Sequence, residues 1–174
     1  MPSKSESQTN PAPATRDYFA ELYVAALFGD DGWSVYFPKR DVGFDFIATK
    51  QVDNEILIRP VQVKGRYPEI NKKSNNKKLG FNGILTATHP LMVLIIPFFN
   101  HANPQAPEHV AFLPLSVCKK TSKGGWRCAP CNWVKDQDKA RAEPRRDFRK
   151  YFGKEGLASV GKVGWGVANM QSTY

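Results

Sequence analysis

Four side chains in the first half of the chain have the types and spacing that phosphodiester chemistry needs. In "VQVK" (61–64) an amide and an ammonium, Gln62 and Lys64, stand two residues apart. Successive side chains of a strand point to opposite faces, so Gln62 and Lys64 share one face and Val61 and Val63 the other. In "GFDF" (43–46) a carboxylate, Asp45, sits between two phenylalanines, and Glu21 lies upstream in "RDYFAELYVAALF" (16–28). Oxygen donors of this kind suit Mg²⁺ or Mn²⁺; Mg²⁺ keeps several waters and takes one or two carboxylates from protein. Asp45 would be the main carboxylate ligand, Gln62 would offer its amide oxygen, and Glu21 would bind directly or through water. Lys64 would orient or help deprotonate a water and hold charge on a phosphate. A metal so placed polarises a phosphoryl group and activates water.

The elements must bring these four residues together. Thr15 is placed to cap a helix over about 16–28 that Gly29 would end, with Tyr18, Phe19, Leu22, Ala25 and Ala26 on its apolar face and Glu21 at the edge. The period then changes to that of strands, at 33–38, 43–50 and 55–66, with Asp53-Asn54 as a hairpin turn between the last two. Pro60 inside the third strand demands an edge or a bulge. If these strands form a meander, Asp45 faces Gln62 and Lys64 across the ladder, and a helix packed on that face delivers Glu21. Residues 67–82 read as a polar, basic loop. The run at 90–99 reads as a buried strand and 109–116 as another. A Gly-Gly turn within 121–128 leads into a short strand, and 143–153 suits a short helix with Phe148, Tyr151 and Phe152 inward and arginines outward. The expectation is a mixed α/β domain around one sheet over 15–153, after a disordered tail at 1–14 and before a Gly-rich segment, 154–174, with no assigned role.

The pattern "E…GFDF…VQVK" resembles the PD-(D/E)XK nuclease superfamily, in the branch with Gln at the second acidic position. It is nearest to Mrr-type restriction endonucleases and archaeal Holliday-junction resolvases. The resemblance covers about residues 15–66 and extends further only in the order of elements. It implies a restriction-endonuclease-like fold, a mixed β-sheet flanked by helices with the active site at one edge of the sheet. Carried over residue by residue, it implies a catalytic set of Glu21, Asp45, Gln62 and Lys64, with Asp45, Gln62 and Glu21 holding Mg²⁺ or Mn²⁺. It also implies a DNA substrate and, as in many relatives, a homodimer. Gln62 stands where many members carry Glu or Asp, and a neutral ligand weakens the hold on a metal. A non-catalytic nucleic-acid-binding domain with a degenerate nuclease fold is therefore the alternative.

Charge supports a polyanionic partner. The chain has 174 residues and a formal net charge of +9. Residues 64–80 carry Lys64, Arg66, Lys72, Lys73, Lys77 and Lys78 against the single acid Glu69, and Arg145, Arg146 and Arg149 cluster in the late helix. Both groups are candidates for gripping phosphates, and a mobile solvated loop or helix face is the plain alternative. An interaction protein whose basic surface meets an acidic partner is a third reading. "CAPC" (128–131) with Cys118 offers three thiols, and zinc would need His89, His101 or His109 as a fourth ligand. The longest apolar run, 91–99, is too short to span a bilayer. The N-terminus lacks the apolar stretch of a signal peptide, so a cytoplasmic location is the default expectation. There is neither a Gly-rich phosphate loop nor a G-x-S-x-G elbow.

Overall fold

The computed structural model describes residues 13–67, 78–100, 105–136 and 139–166. The first helix, α1, spans Pro13–Asp30. Proline fits a first helical turn, where its missing N–H would be unpaired in any case. The helix runs through Gly29 to Asp30, and the chain turns away at Gly32, which takes φ +81°. The Trp33 N–H then reaches back to Phe28 O at 3.0 Å, closing the turn. The buried face of α1 is Ala20, Val24 and Phe28, whereas Tyr18, Phe19 and Leu22 are exposed. The predicted apolar face was thus rotated away from the true one, which runs at i, i+4, i+8 spacing through Ala20, Val24 and Phe28.

Three antiparallel strands follow: β1 (Ser34–Tyr36), β2 (Phe46–Val52) and β3 (Glu55–Val63). The Asp53-Asn54 turn between β2 and β3 is present, with Asp53 at φ +52°. Pro60 pairs with Ile47 of β2 without a bulge. On its other side β5 (Val93–Phe99) begins pairing, in parallel, only at Val61, so Pro60 lies where β3 is locally an edge. Antiparallel to β5 lies β6 (Pro107–Pro114), completing a five-stranded mixed sheet ordered β1-β2-β3-β5-β6.

The expectation of one sheet is corrected. A second, antiparallel sheet is built from β4 (Lys78–Gly83), β7 (Lys119–Lys120), β8 (Trp126–Asp136) and β9 (Lys139–Pro144). Part of the presumed basic loop is therefore strand β4, and residues 68–77 lie outside the described residues. The late segment also differs from the expected helix. Arg146–Tyr151 is a 3₁₀ turn, and α2 spans Gly153–Val160. Gly153 takes φ +58° between the two, which breaks the helical path. Of the expected tail 1–14, residues 1–12 lie outside the described residues and 13–14 open α1 instead; of the Gly-rich segment, 167–174 lie outside the described residues. Residues 154–166, which had no assigned role, send Leu157, Val160 and Trp165 into the core.

Two apolar clusters explain the layering. Alternation puts Phe46, Ala48, Val61, Val63, Val93 and Ile95 on one face of the five-stranded sheet, under α1 and α2. Leu94, Ile96, Phe98, Ala111 and Leu113 point the other way, against Phe81, Cys128, Cys131 and Ala142 of the second sheet. Strand β5 is buried throughout because both of its faces are covered. Arg59, only 3% exposed, joins the layers on the helical side. Its guanidinium donates to Val160 O and Lys162 O at the end of α2, both at 3.0 Å, where the helix dipole favours a cation.

A candidate active site at the end of the third strand

Asp45 lies one residue before β2 rather than inside it. The loop leading to it is turned by Asp41, whose Oδ1 accepts from the Gly43 N–H at 2.8 Å. Gly43 itself has φ +82°, and a Cβ there would lie 2.6 Å from the Cβ of Ala87. The Asp45 N–H then donates to Val61 O at 2.9 Å, which registers its carboxylate beside the end of β3. There it meets Gln62. The Gln62 amide donates to Asp45 Oδ1 at 3.1 Å and Oδ2 at 3.2 Å, and the Val63 N–H donates to Oδ2 at 2.5 Å.

Gln62 is 6% exposed and has its amide nitrogen on Asp45. An ionised carboxylate only accepts, so this orientation follows and turns the amide oxygen away from Asp45. Lys64 is the first residue after β3, and its N–H donates to Ile95 O at 2.8 Å, which continues the parallel pairing. Its ammonium lowers the pKa of both Asp45 and Glu21 by through-space attraction.

Glu21 reaches the same place by a route the sequence did not suggest. Helix α1 packs on the Val61/Val63 face, not on the face that carries Gln62. Contact occurs instead past the end of β3, at Gly65. A Cβ on Gly65 would lie 3.3 Å from the Cβ of Ala20, the residue before Glu21. This close approach sets the half-buried Glu21 near enough for Asp45 to raise its pKa. Both carboxyls lie above their ordinary range. Burial is the first cause in each; for Glu21 the Asp45 charge comes next, while for Asp45 the Val63 N–H pulls downward. All four expected site residues therefore converge. The sequence missed the Val63 N–H, the Asp41 turn and the Gly65 contact; the last had a visible signal, a glycine directly after Lys64.

The Asp45 and Glu21 carboxylates are oxygen donors of the kind Mg²⁺ or Mn²⁺ takes, and the Gln62 oxygen, turned away from Asp45, would join them only with its amide turned over. Two partly buried acids held close, each reluctant to ionise, are the electrostatics a divalent cation relieves. Among the described residues there is no group of three or more His, Cys, Asp or Glu side chains disposed to hold a metal. That includes the thiols once considered for zinc: His101 lies outside the described residues, and Cys118, Cys128 and Cys131 are free and buried. The Cys128 thiol donates to Val117 O at 3.9 Å; the closeness of Cys118 and Cys128 raises Cys118 and lowers Cys128, while burial pushes Cys131 up to about 12.

The expected phosphate grips fall into three sets. Lys72, Lys73 and Lys77 lie outside the described residues. Arg66 is half-buried, with its Nε donating to Gly80 O, so it ties β4 to the end of β3. Arg145 likewise donates to Ala129 O at 2.9 Å and stacks on Phe148, contrary to an outward position. Lys78, Arg146 and Arg149 are exposed and free to meet a polyanion. No helix among the described residues is long and apolar enough to cross a membrane.

No protein-family model matches this chain, and no curated protein matches it.

Proposed function

We propose that the protein is a metal-dependent deoxyribonuclease with a restriction-endonuclease-like site formed by Glu21, Asp45, Gln62 and Lys64. The observation that carries this reading is the convergence of two pKa-raised carboxylates and a lysine on the end of β3. Asp45 is oriented by Gln62 and Val63, so its carboxylate is held before any ligand arrives. With Glu21, and with the Gln62 amide turned over to present its oxygen, it would hold Mg²⁺, which when bound supplies charge neutralisation and water activation. Lys64 stands beside both acids, where its ammonium positions a scissile phosphate and stabilises the charge that grows on it. The net charge of +9 suits the substrate.

The alternative is a nucleic-acid-binding domain without catalysis. One observation favours it: the Gln62 amide already engages both oxygens of Asp45. A cleavage assay decides between them. Supercoiled, linear, single-stranded and branched DNA are incubated with Mg²⁺, with Mn²⁺ or with chelator, using wild type, Asp45→Ala and Lys64→Ala. The nuclease reading expects metal-dependent cutting that both substitutions abolish while DNA binding persists. Salt-sensitive binding with no cutting of any substrate would establish the binding domain, and cutting that survives both substitutions would refute the site.

A further inference from the structure

Two hollows meet beside β6, on the side of the molecule where the 3₁₀ turn leads into α2. One, of about 610 Å³, is lined by Glu108, His109, Arg141, Glu143, Arg149 and Phe152 among others. The second, of about 380 Å³, is apolar, with Tyr23, Leu27, Val110, Phe112 and Leu157 in its wall. They share Glu108, His109 and Phe152, so they form one groove with a charged end and an apolar end.

The charged end is unsatisfied. The Arg141 and Arg149 side chains make no hydrogen bond or ion pair among the described residues, although Glu108 and Glu143 line the same hollow. Glu108 instead accepts from the Asn100 side chain. Two guanidiniums left unpaired beside available carboxylates are placed for an anion from outside, and their planar forks match phosphate oxygens. At the junction the His109 ring stands edge-on to Phe152 at 6.1 Å, and the apolar hollow opens beyond it. Phosphate-binding arginines beside an aromatic, apolar recess are the elements from which single-strand sites are made. A duplex keeps its bases stacked and paired, so it cannot fill the recess.

We propose that this groove binds single-stranded nucleic acid, with phosphates on Arg141 and Arg149 and an unstacked base against Phe152 and His109. The proposal deepens the nuclease reading, on which it rests only for its catalytic meaning: the preferred substrate would be DNA carrying a single-stranded segment.

Binding is measured by fluorescence anisotropy in chelator, which prevents cutting, with a labelled single strand and the matching duplex across a salt series. The double variant Arg141→Ala/Arg149→Ala alters two exposed side chains and leaves the core intact. It should bind the single strand at least about tenfold more weakly, and its log K against log salt slope should fall by about 1.4, the value for two lost phosphate contacts. Duplex affinity should fall by clearly less, since a duplex uses at most the Arg149 phosphate contact and cannot fill the recess. Phe152→Leu, checked for folding by circular dichroism, and His109→Ala should each weaken single-strand binding without changing the salt slope. Equal losses for single strand and duplex, or no loss in the double variant, would overturn the groove. The Asp45→Ala protein separates the two proposals, since it should keep single-strand binding whether or not the wild type cuts.

Discussion

Asp45 is where the chemistry and the stability of the protein meet. Burial raises Asp45 and Glu21 above the ordinary carboxylate range, so the folded chain holds these protons more tightly than the unfolded one. Their contribution is fully present below the unfolded carboxylate pKa and is lost as pH rises through the raised folded values. Metal-free wild type should therefore lose stability relative to Asp45→Asn as pH rises across that window. Urea unfolding in chelator at acid and neutral pH checks this. Adding Mg²⁺ at ten times its dissociation constant should stabilise the wild type by about 1.4 kcal/mol and leave the variant unmoved. Gln62→Glu puts a further charge into a buried position, so it should bind Mg²⁺ more tightly by calorimetry and unfold more easily without it. At this scale the sequence was informative: residue type and order picked out four residues that the fold brings to the end of β3. It could not show that a backbone N–H, that of Val63, would share the carboxylate.

Elements were read correctly where one period dominated and misread where two faces competed. The β2–β3 hairpin followed from alternation and its Asp-Asn turn. The orientation of α1 did not, because Tyr18, Phe19 and Leu22 offer as apolar a stripe as Ala20, Val24 and Phe28, the one that makes close helix–sheet contact. Gly65 is the point of that contact. Gly65→Ala would press on Ala20 and on the Tyr67 ring, 3.0 Å away, and should cost about 1–3 kcal/mol. It should also reduce cleavage by more than the stability loss explains, since it displaces Glu21, and a kcat comparison at a temperature where the variant is fully folded tests this. Arg59 makes a second prediction. Arg59→Met keeps the bulk but removes the side-chain donor of Val160 O and one of the two donors of Lys162 O, which keeps the Trp165 N–H, and should lower stability by about 2 kcal/mol in a urea titration.

Across the whole molecule the charge was legible and the number of sheets was not. A net charge of +9 requires no fold to be read, and it predicts that DNA affinity falls steeply between low and physiological salt. The second sheet was hidden because β4 sits in a polar, lysine-rich stretch whose strand character comes from its partner β8 rather than from its own apolar content. That partnership also sets an order of events during synthesis. After Arg66 the chain leaves the first sheet, contributes β4 to the second and returns as β5. Lys78 must then wait for Asn132, and Phe81 for Cys128, before the second sheet can close over the first. A nascent chain stopped after β6 would have the whole five-stranded sheet but no cover for Leu94, Ile96, Phe98 and Leu113. Until β8 clears the ribosome exit tunnel, that bare apolar surface is open to chaperones and to other unfinished chains.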